Sequence, residues 1–244
     1  MKNILLLTAT IRPKPQPELA VADPGERLND YLRALEFYVT LLSAGVLERI
    51  VFIDNSGYDL RPLAERFPSE QIEFITFYDL DYPVTFHRGY GEFRLVDTAF
   101  TRSATLSALE KTDMVWKVTG RYIVKNLARV IRLAPKEADL YCKVKKERWV
   151  EMSLMAWSRR GYEAIIKDVW QEFASGTIPE LILARKLEQF TTATCRIVTT
   201  YYWPPFIIGR RGANAVPYQG RFTPVKFAFT SLWKLAVLPF RKYR

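Results

Sequence analysis

Four short apolar runs, each followed by a polar turn and separated by helical stretches, constrain this chain more than any single motif does. Ile4-Leu5-Leu6-Leu7, Arg49-Ile50-Val51-Phe52-Ile53, Ile72 to Tyr78 and Met114 to Val118 read as buried strands. A helix is expected from Asp23-Pro24-Gly25-Glu26, with Asp as N-cap, Pro in the first position and Glu three residues after the cap. Its apolar face runs through Leu28, Tyr31, Leu35, Tyr38 and Leu42. A short helix from Leu60 to Arg66 and a glycine-led one from Gly89 to Glu110 fill the other two gaps. Strands alternating with helices imply parallel βαβ units and an α/β fold, an open, mostly parallel sheet flanked by helices. Ligands of such sheets bind outside the carboxyl ends of the strands. Those ends are Thr8 to Arg12, Asp54 to Gly57, Asp79 to Asp81 and Lys117 to Arg121, and polar residues gather at all four.

The second half follows a different pattern. Ala138 to Lys145 and Trp149 to Trp157 read as strands; Tyr162 to Ala174 and Glu180 to Phe190 read as helices. One domain over residues 1–221, in halves 1–126 and 127–221, with a tail at 222–244, accounts for the whole pattern. No run of 18 apolar residues exists, so a membrane-spanning helix is not expected. Ile4 to Leu7 is too short for the apolar part of a signal peptide. Cys142 and Cys195 are too few for a disulfide framework or a zinc site, which fits a reduced, cytoplasmic setting.

Charge is distributed unevenly. All 26 acidic residues and 27 of the 36 basic ones fall before residue 189, leaving the last 56 residues with nine cations and no acid. A near-neutral body with a cationic end argues against a general nucleic-acid binder, and no nucleic-acid motif is present. In the tail, Phe227, Phe229, Trp233, Leu235 and Phe240 are edged by Lys226, Lys234, Arg241, Lys242 and Arg244. This suits an interfacial helix on an anionic membrane; a terminal core helix or a protein contact has the same pattern.

Leu6-Leu7-Thr8-Ala9-Thr10-Ile11, Phe52-Ile53-Asp54-Asn55-Ser56-Gly57, Gly89-Tyr90-Gly91-Glu92 and Lys117-Val118-Thr119-Gly120-Arg121-Tyr122, in that order and spacing, resemble the GT-A-type glycosyltransferases. The likeness is to small bacterial members that build surface polysaccharide, lipopolysaccharide O-antigen or capsule, and it spans roughly residues 3 to 220. It implies that residues 1–126 form a nucleotide-sugar-binding half and 127–221 an acceptor-side half. It further implies a nucleoside-diphosphate-sugar donor, a glycan or lipid-linked glycan acceptor, and a peripheral place on the inner face of the cytoplasmic membrane. The chain departs from the family where an acidic, metal-binding pair usually follows the fourth strand, because Lys117 and Arg121 stand there instead.

The resemblance assigns Thr10, Asp54 and Asn55 to the nucleobase and ribose, and Lys117 and Arg121 to the pyrophosphate, with Gly120 allowing close approach. It gives Ile11, Arg12, Arg88, Gly89, Glu92 and Thr119 a donor-binding role with no part of the donor specified. Lys117 and Arg121 could replace a divalent ion at a departing diphosphate, so no metal cofactor is expected. Each assignment has a plainer alternative. Asp54 and Asn55 also suit turn caps, Lys117 and Arg121 a solvated turn, and Arg94 with Asp97 a surface pair three residues apart. Asp79-Leu80-Asp81 offers an alternative site for magnesium or manganese, one unit earlier than the family's motif. His87, the one histidine, reads as a loop or packing residue. For a base that deprotonates the acceptor hydroxyl, Glu180 is the first candidate and Asp168 the second. Glu180 equally suits a helix N-terminus. A non-catalytic glycan-binding or scaffold member of the same family is the competing function.

Overall fold

The computed structural model describes residues 1–15, 19–146, 148–174, 176–191 and 194–210. The tail read at 222–244 lies outside the described residues. Strand β1 (Asn3–Ala9), helix α1 (Pro24–Ser43), β2 (Arg49–Asp54), α2 (Arg61–Arg66), β3 (Ile72–Thr76), α3 (Arg88–Arg102), a single turn α4 (Ala104–Ser107) and β4 (Met114–Thr119) make up the first half. After it come β5 (Ile123–Val124), α5 (Leu127–Arg132), β6 (Leu140–Val144), β7 (Val150–Trp157), a turn α6 (Arg159–Gly161), α7 (Pro179–Glu188), β8 (Ile197–Val198) and β9 (Ile207–Ile208).

The main sheet runs β3-β2-β1-β4-β7-β6-β8. β1 to β4 are mutually parallel, β7 is antiparallel to both β4 and β6, and β5 pairs with β9 in a separate ladder. The α/β, mostly parallel sheet read from the sequence is therefore the fold of the chain. β1 lies between β2 and β4, so the strand order reverses there, and the crevice at such a reversal is where doubly wound sheets hold ligands. Pairing sets Leu6 beside Lys117 and Thr8 beside Thr119, which brings two threonines to the mouth of that crevice.

Strand alternation sorts the core into two layers. Leu5, Leu7, Phe52, Trp116 and Val118 face α1, which supplies Tyr31, Ala34, Leu35 and Tyr38. Ile4, Leu6, Val51, Ile53 and Val115 face the other way, toward Phe93, Val96 and Ala99 of α3 and Leu183 and Leu187 of α7. Lys117 falls on this second face, paired across the sheet with Leu6 and Met155, and its side chain is fully buried.

Asp23 caps α1 as expected, accepting from the Glu26 amide at 2.7 Å. Two helix expectations are corrected. The helix read to Glu110 stops at Arg102, because Ser103 takes an extended conformation, donates to Glu73 Oε2 at 2.6 Å and caps α4 by accepting from the Leu106 amide. The stretch from Tyr162 to Ala174 is no regular helix: a π turn at Tyr162–Ile166 and a 3-10 turn at Val169–Glu172 flank Asp168, whose φ is +60°. Asp97 holds this break together, accepting from the Tyr162 hydroxyl, the Asp168 amide and the Trp170 indole at 2.8–3.0 Å. Asp97 is therefore a brace between elements, and Arg94 turns instead to Asp79.

Candidate functional site

A cavity of about 470 Å³ opens at the carboxyl ends of β1 and β4. It is walled by Thr8, Thr10, Thr119 and Arg121 from the sheet, Arg88, Gly89 and Glu92 from α3, Glu180 from α7, and Glu151 to Ser153 from β7. This is the strand-order reversal of the sheet, and the volume suits a small-molecule ligand.

Glu92 anchors one wall. Its Oε1 accepts from Lys117 Nζ at 2.5 Å, Thr119 Oγ1 at 2.8 Å and Thr8 Oγ1 at 3.1 Å. Burial pushes the carboxyl up, but the Lys117 charge and the three hydrogen bonds outweigh it and hold Glu92 below the usual carboxylate range. Lys117 also donates to the Met152 carbonyl at 2.7 Å. It does not line the cavity, so in this structure the ammonium assigned to a diphosphate is spent on Glu92 and the β7 backbone. The reason is strand parity: position 117 points into the α3 layer, where a cation must be paired to be buried.

Arg121 is placed differently. Its side chain is only 6% exposed, yet it lines the cavity, and its Nε and Nη1 have no hydrogen-bond partner among the described residues. The nearest anion, Asp30, is 4.0 Å away and is already engaged by Arg33 and by Arg210. A buried guanidinium left with unmet donors is costly in a folded protein. Arg88, the first residue of α3, is exposed on the same cavity and contributes a second cation.

Glu180 sits in the first turn of α7 with Oε2 buried and unpartnered among the described residues. Burial pushes its carboxyl up, helped by the charges of Glu92 and Glu151 and opposed by its own backbone amide and by Arg88. The two helix starts touch, since a Cβ on Gly89 would fall 2.8 Å from Pro179 Cγ. Two carboxylates with opposite proton affinities thus face one cavity, an arrangement that separates an ionised role from a proton-accepting one.

The other residues singled out in the sequence divide between the cavity wall, which Thr10 and His87 join, and the turns behind it. Asp54 is fully buried and accepts from the Ile11, Ser56 and Tyr58 amides and from the Ser56 hydroxyl. Asn55 accepts from Thr10 Oγ1 at 2.6 Å, and Arg12 stacks over the Tyr58 ring. Asp54, Asn55, Ile11 and Arg12 thus tie the β1 loop to the β2 turn and do not line the cavity; Thr10 does. Gly120 is required by close packing, because a Cβ there would lie 2.8 Å from the Thr8 carbonyl. Asp168 is exposed on its turn and absent from the cavity wall. His87 caps α3, accepting from the Gly89 amide at 3.1 Å.

Asp79 pairs with Arg94, and Asp81 pairs with Lys14 and accepts from the Tyr78 hydroxyl. Among the described residues no group of three or more His, Cys, Asp or Glu is placed to hold a metal ion, and no helix is long and apolar enough to cross a membrane. The β7 wall escaped sequence reasoning. Its position beside β4 is a long-range pairing that no local pattern announces.

No family model matches the chain, and no curated protein matches it. Among solved structures it is similar to a protein of Desulfovibrio desulfuricans assigned as a nucleotide-diphospho-sugar transferase, at 12% identity over 82% of this chain and 80% of that one, with a TM-score of 0.49. A nucleoside-diphosphate-sugar pyrophosphorylase of Vibrio cholerae matches at 12% identity over 92% and 98%, also at 0.49. An inositol-1-phosphate CTP transferase of T. maritima matches at 9% over 88% and 91%, again at 0.49. At these identities the likeness concerns the path of the chain and carries no activity over.

Proposed function

We propose that this chain is a nucleotide-sugar-dependent transferase, and specifically a glycosyltransferase that moves a sugar from a nucleoside-diphosphate donor to a glycan acceptor. The observation that carries the reading is the pairing, in one cavity at the sheet's order reversal, of a buried guanidinium with donors unmet among the described residues and a buried carboxylate of raised proton affinity. Arg121 and Arg88 would take the charge that develops on the diphosphate as the bond to the anomeric carbon breaks. Glu180 would take the proton of the acceptor hydroxyl as its oxygen bonds to that carbon. With cations supplied by side chains, the reaction is proposed to need no divalent ion. Bacterial surface polysaccharide as the product, a lipid-linked acceptor and a membrane-facing tail at 222–244 remain part of this proposal on the strength of the sequence resemblance.

The test is calorimetric titration with UDP-, GDP-, CMP- and dTDP-sugars in EDTA and then with magnesium or manganese, followed by donor turnover with glycan acceptors. Binding in EDTA that is lost in Arg121→Ala supports the reading. Binding only with metal moves the diphosphate to Asp79 and Asp81. Binding without turnover on any acceptor favours the non-catalytic member, and no binding at all sinks the proposal.

A further inference from the structure

The three hydrogen bonds that hold Glu92 all fall on one oxygen. Thr8 Oγ1, Lys117 Nζ and Thr119 Oγ1 donate to Oε1, and Oε2 accepts from no described residue although Glu92 lines the cavity. Each threonine hydroxyl has one proton, and both are spent on Glu92. What Thr8, Thr119 and Glu92 present to the cavity is therefore lone pairs alone. Arg121 and Arg88, elsewhere on the same cavity wall, present only donors.

We infer that Glu92 Oε2, flanked by the Thr8 and Thr119 oxygens, is the specificity-determining acceptor for hydroxyl groups of the bound sugar, with Lys117 as its positioning residue. This rests on the nucleotide-sugar reading of the cavity. An acceptor-only wall repels an anion. A divalent cation is disfavoured by the Lys117 ammonium, 2.5 Å from the same carboxylate. What remains is a neutral group rich in O–H donors, and a sugar ring bears them on adjacent carbons. The depressed proton affinity of Glu92 agrees, since the ionised carboxylate is acceptor-only. Lys117 holds the carboxylate at a fixed place, so hydroxyls that do not meet it leave a charge unsolvated, which is how such sites reject near analogues.

The experiment compares UDP-glucose, UDP-galactose, UDP-N-acetylglucosamine, GDP-mannose and dTDP-rhamnose with bare UDP, GDP and dTDP by calorimetry, then adds monodeoxy forms of the tightest sugar donor. The wild type is expected to bind one donor more tightly than its bare diphosphate, and to lose about 10- to 100-fold when one particular hydroxyl is removed, the range for a hydrogen bond to a charged group. Glu92→Gln should bind the bare diphosphate normally but lose the same factor for the full donor, and should no longer distinguish the deoxy form. The Glu92→Gln, Lys117→Met double variant removes both charges together and supplies the same readout if the single variant folds poorly. Two results would overturn the inference: no deoxy donor weakens binding to the wild type, or the variants lose sugar and bare diphosphate affinity equally. If the wild type binds neither sugars nor diphosphates, the nucleotide-sugar reading falls first, and the inference with it.

Discussion

Lys117 Nζ lies 2.5 Å from Glu92 Oε1, and the two partners are unequally buried: the lysine side chain is 0% exposed and the glutamate 22%. Removing either charge leaves the other behind, but not in the same surroundings. Glu92→Gln strands an ammonium with no route to water and should cost about 3–5 kcal/mol, the range for breaking a buried pair. Lys117→Met leaves a carboxylate at the cavity edge that can hydrate or take a proton, and should cost less. The double variant should be more stable than Glu92→Gln. Urea melts of the three variants check the order, and equal losses for the two single variants would contradict it.

The same pair makes an acid-side contribution to stability. Glu92 is held below its unfolded value, so its contribution is present above the ordinary carboxylate range and lost as pH falls through the folded value. Between about pH 5 and 3 the wild type should lose stability more steeply than the double variant, which has no carboxyl to titrate there. Parallel curves over that window would show that Glu92 is not coupled to Lys117 in solution.

Glu180 has the opposite sign. Its folded value is raised, so its contribution is complete below the unfolded value and is lost as pH rises through the folded one. Glu180→Gln should therefore be at least as stable as the wild type at pH 7. As the proposed base, the same change should lower kcat by about 10²- to 10⁴-fold with donor affinity kept. The acid limb of the wild-type rate profile should also disappear. A variant that retains kcat removes Glu180 from the chemistry.

Arg121→Met should separate function from folding. The guanidinium has two donors unmet among the described residues and contributes little to the fold, so stability should stay within about 1 kcal/mol of the wild type. Affinity for a nucleoside diphosphate should fall about 10- to 100-fold. A large loss of stability with affinity intact would mean that Arg121 serves Asp30, not a ligand.

The first half of the fold was legible because each βαβ unit announces itself locally, as when Asp23, Pro24 and Glu26 mark the start of α1. Glu180 and Arg121 were readable as candidates from their positions after Pro179 and after the fourth strand. The face that Lys117 takes is not readable locally, because a one-residue step along a strand reverses it and the sequence does not say which face a lone lysine takes. Asp54 and Asn55 illustrate the other limit. A carboxylate that shapes a turn and one that meets a ligand have the same sequence signature, and only the hydrogen bonds to Ile11, Ser56 and Tyr58 separate them. Asp97 needed tertiary contacts more than 60 residues away before its bracing role could be seen.

Gly89 has given up its side-chain space to the ring of Pro179, and this decides what sets the gauge between the helices that bear Glu92 and Glu180. The contact between the two helix starts is Gly89 against the carbons of the Pro179 ring, beside the imidazole of His87 that caps α3. That steric stop is made of carbon, so the charge on Glu92 or Glu180 does not enter it.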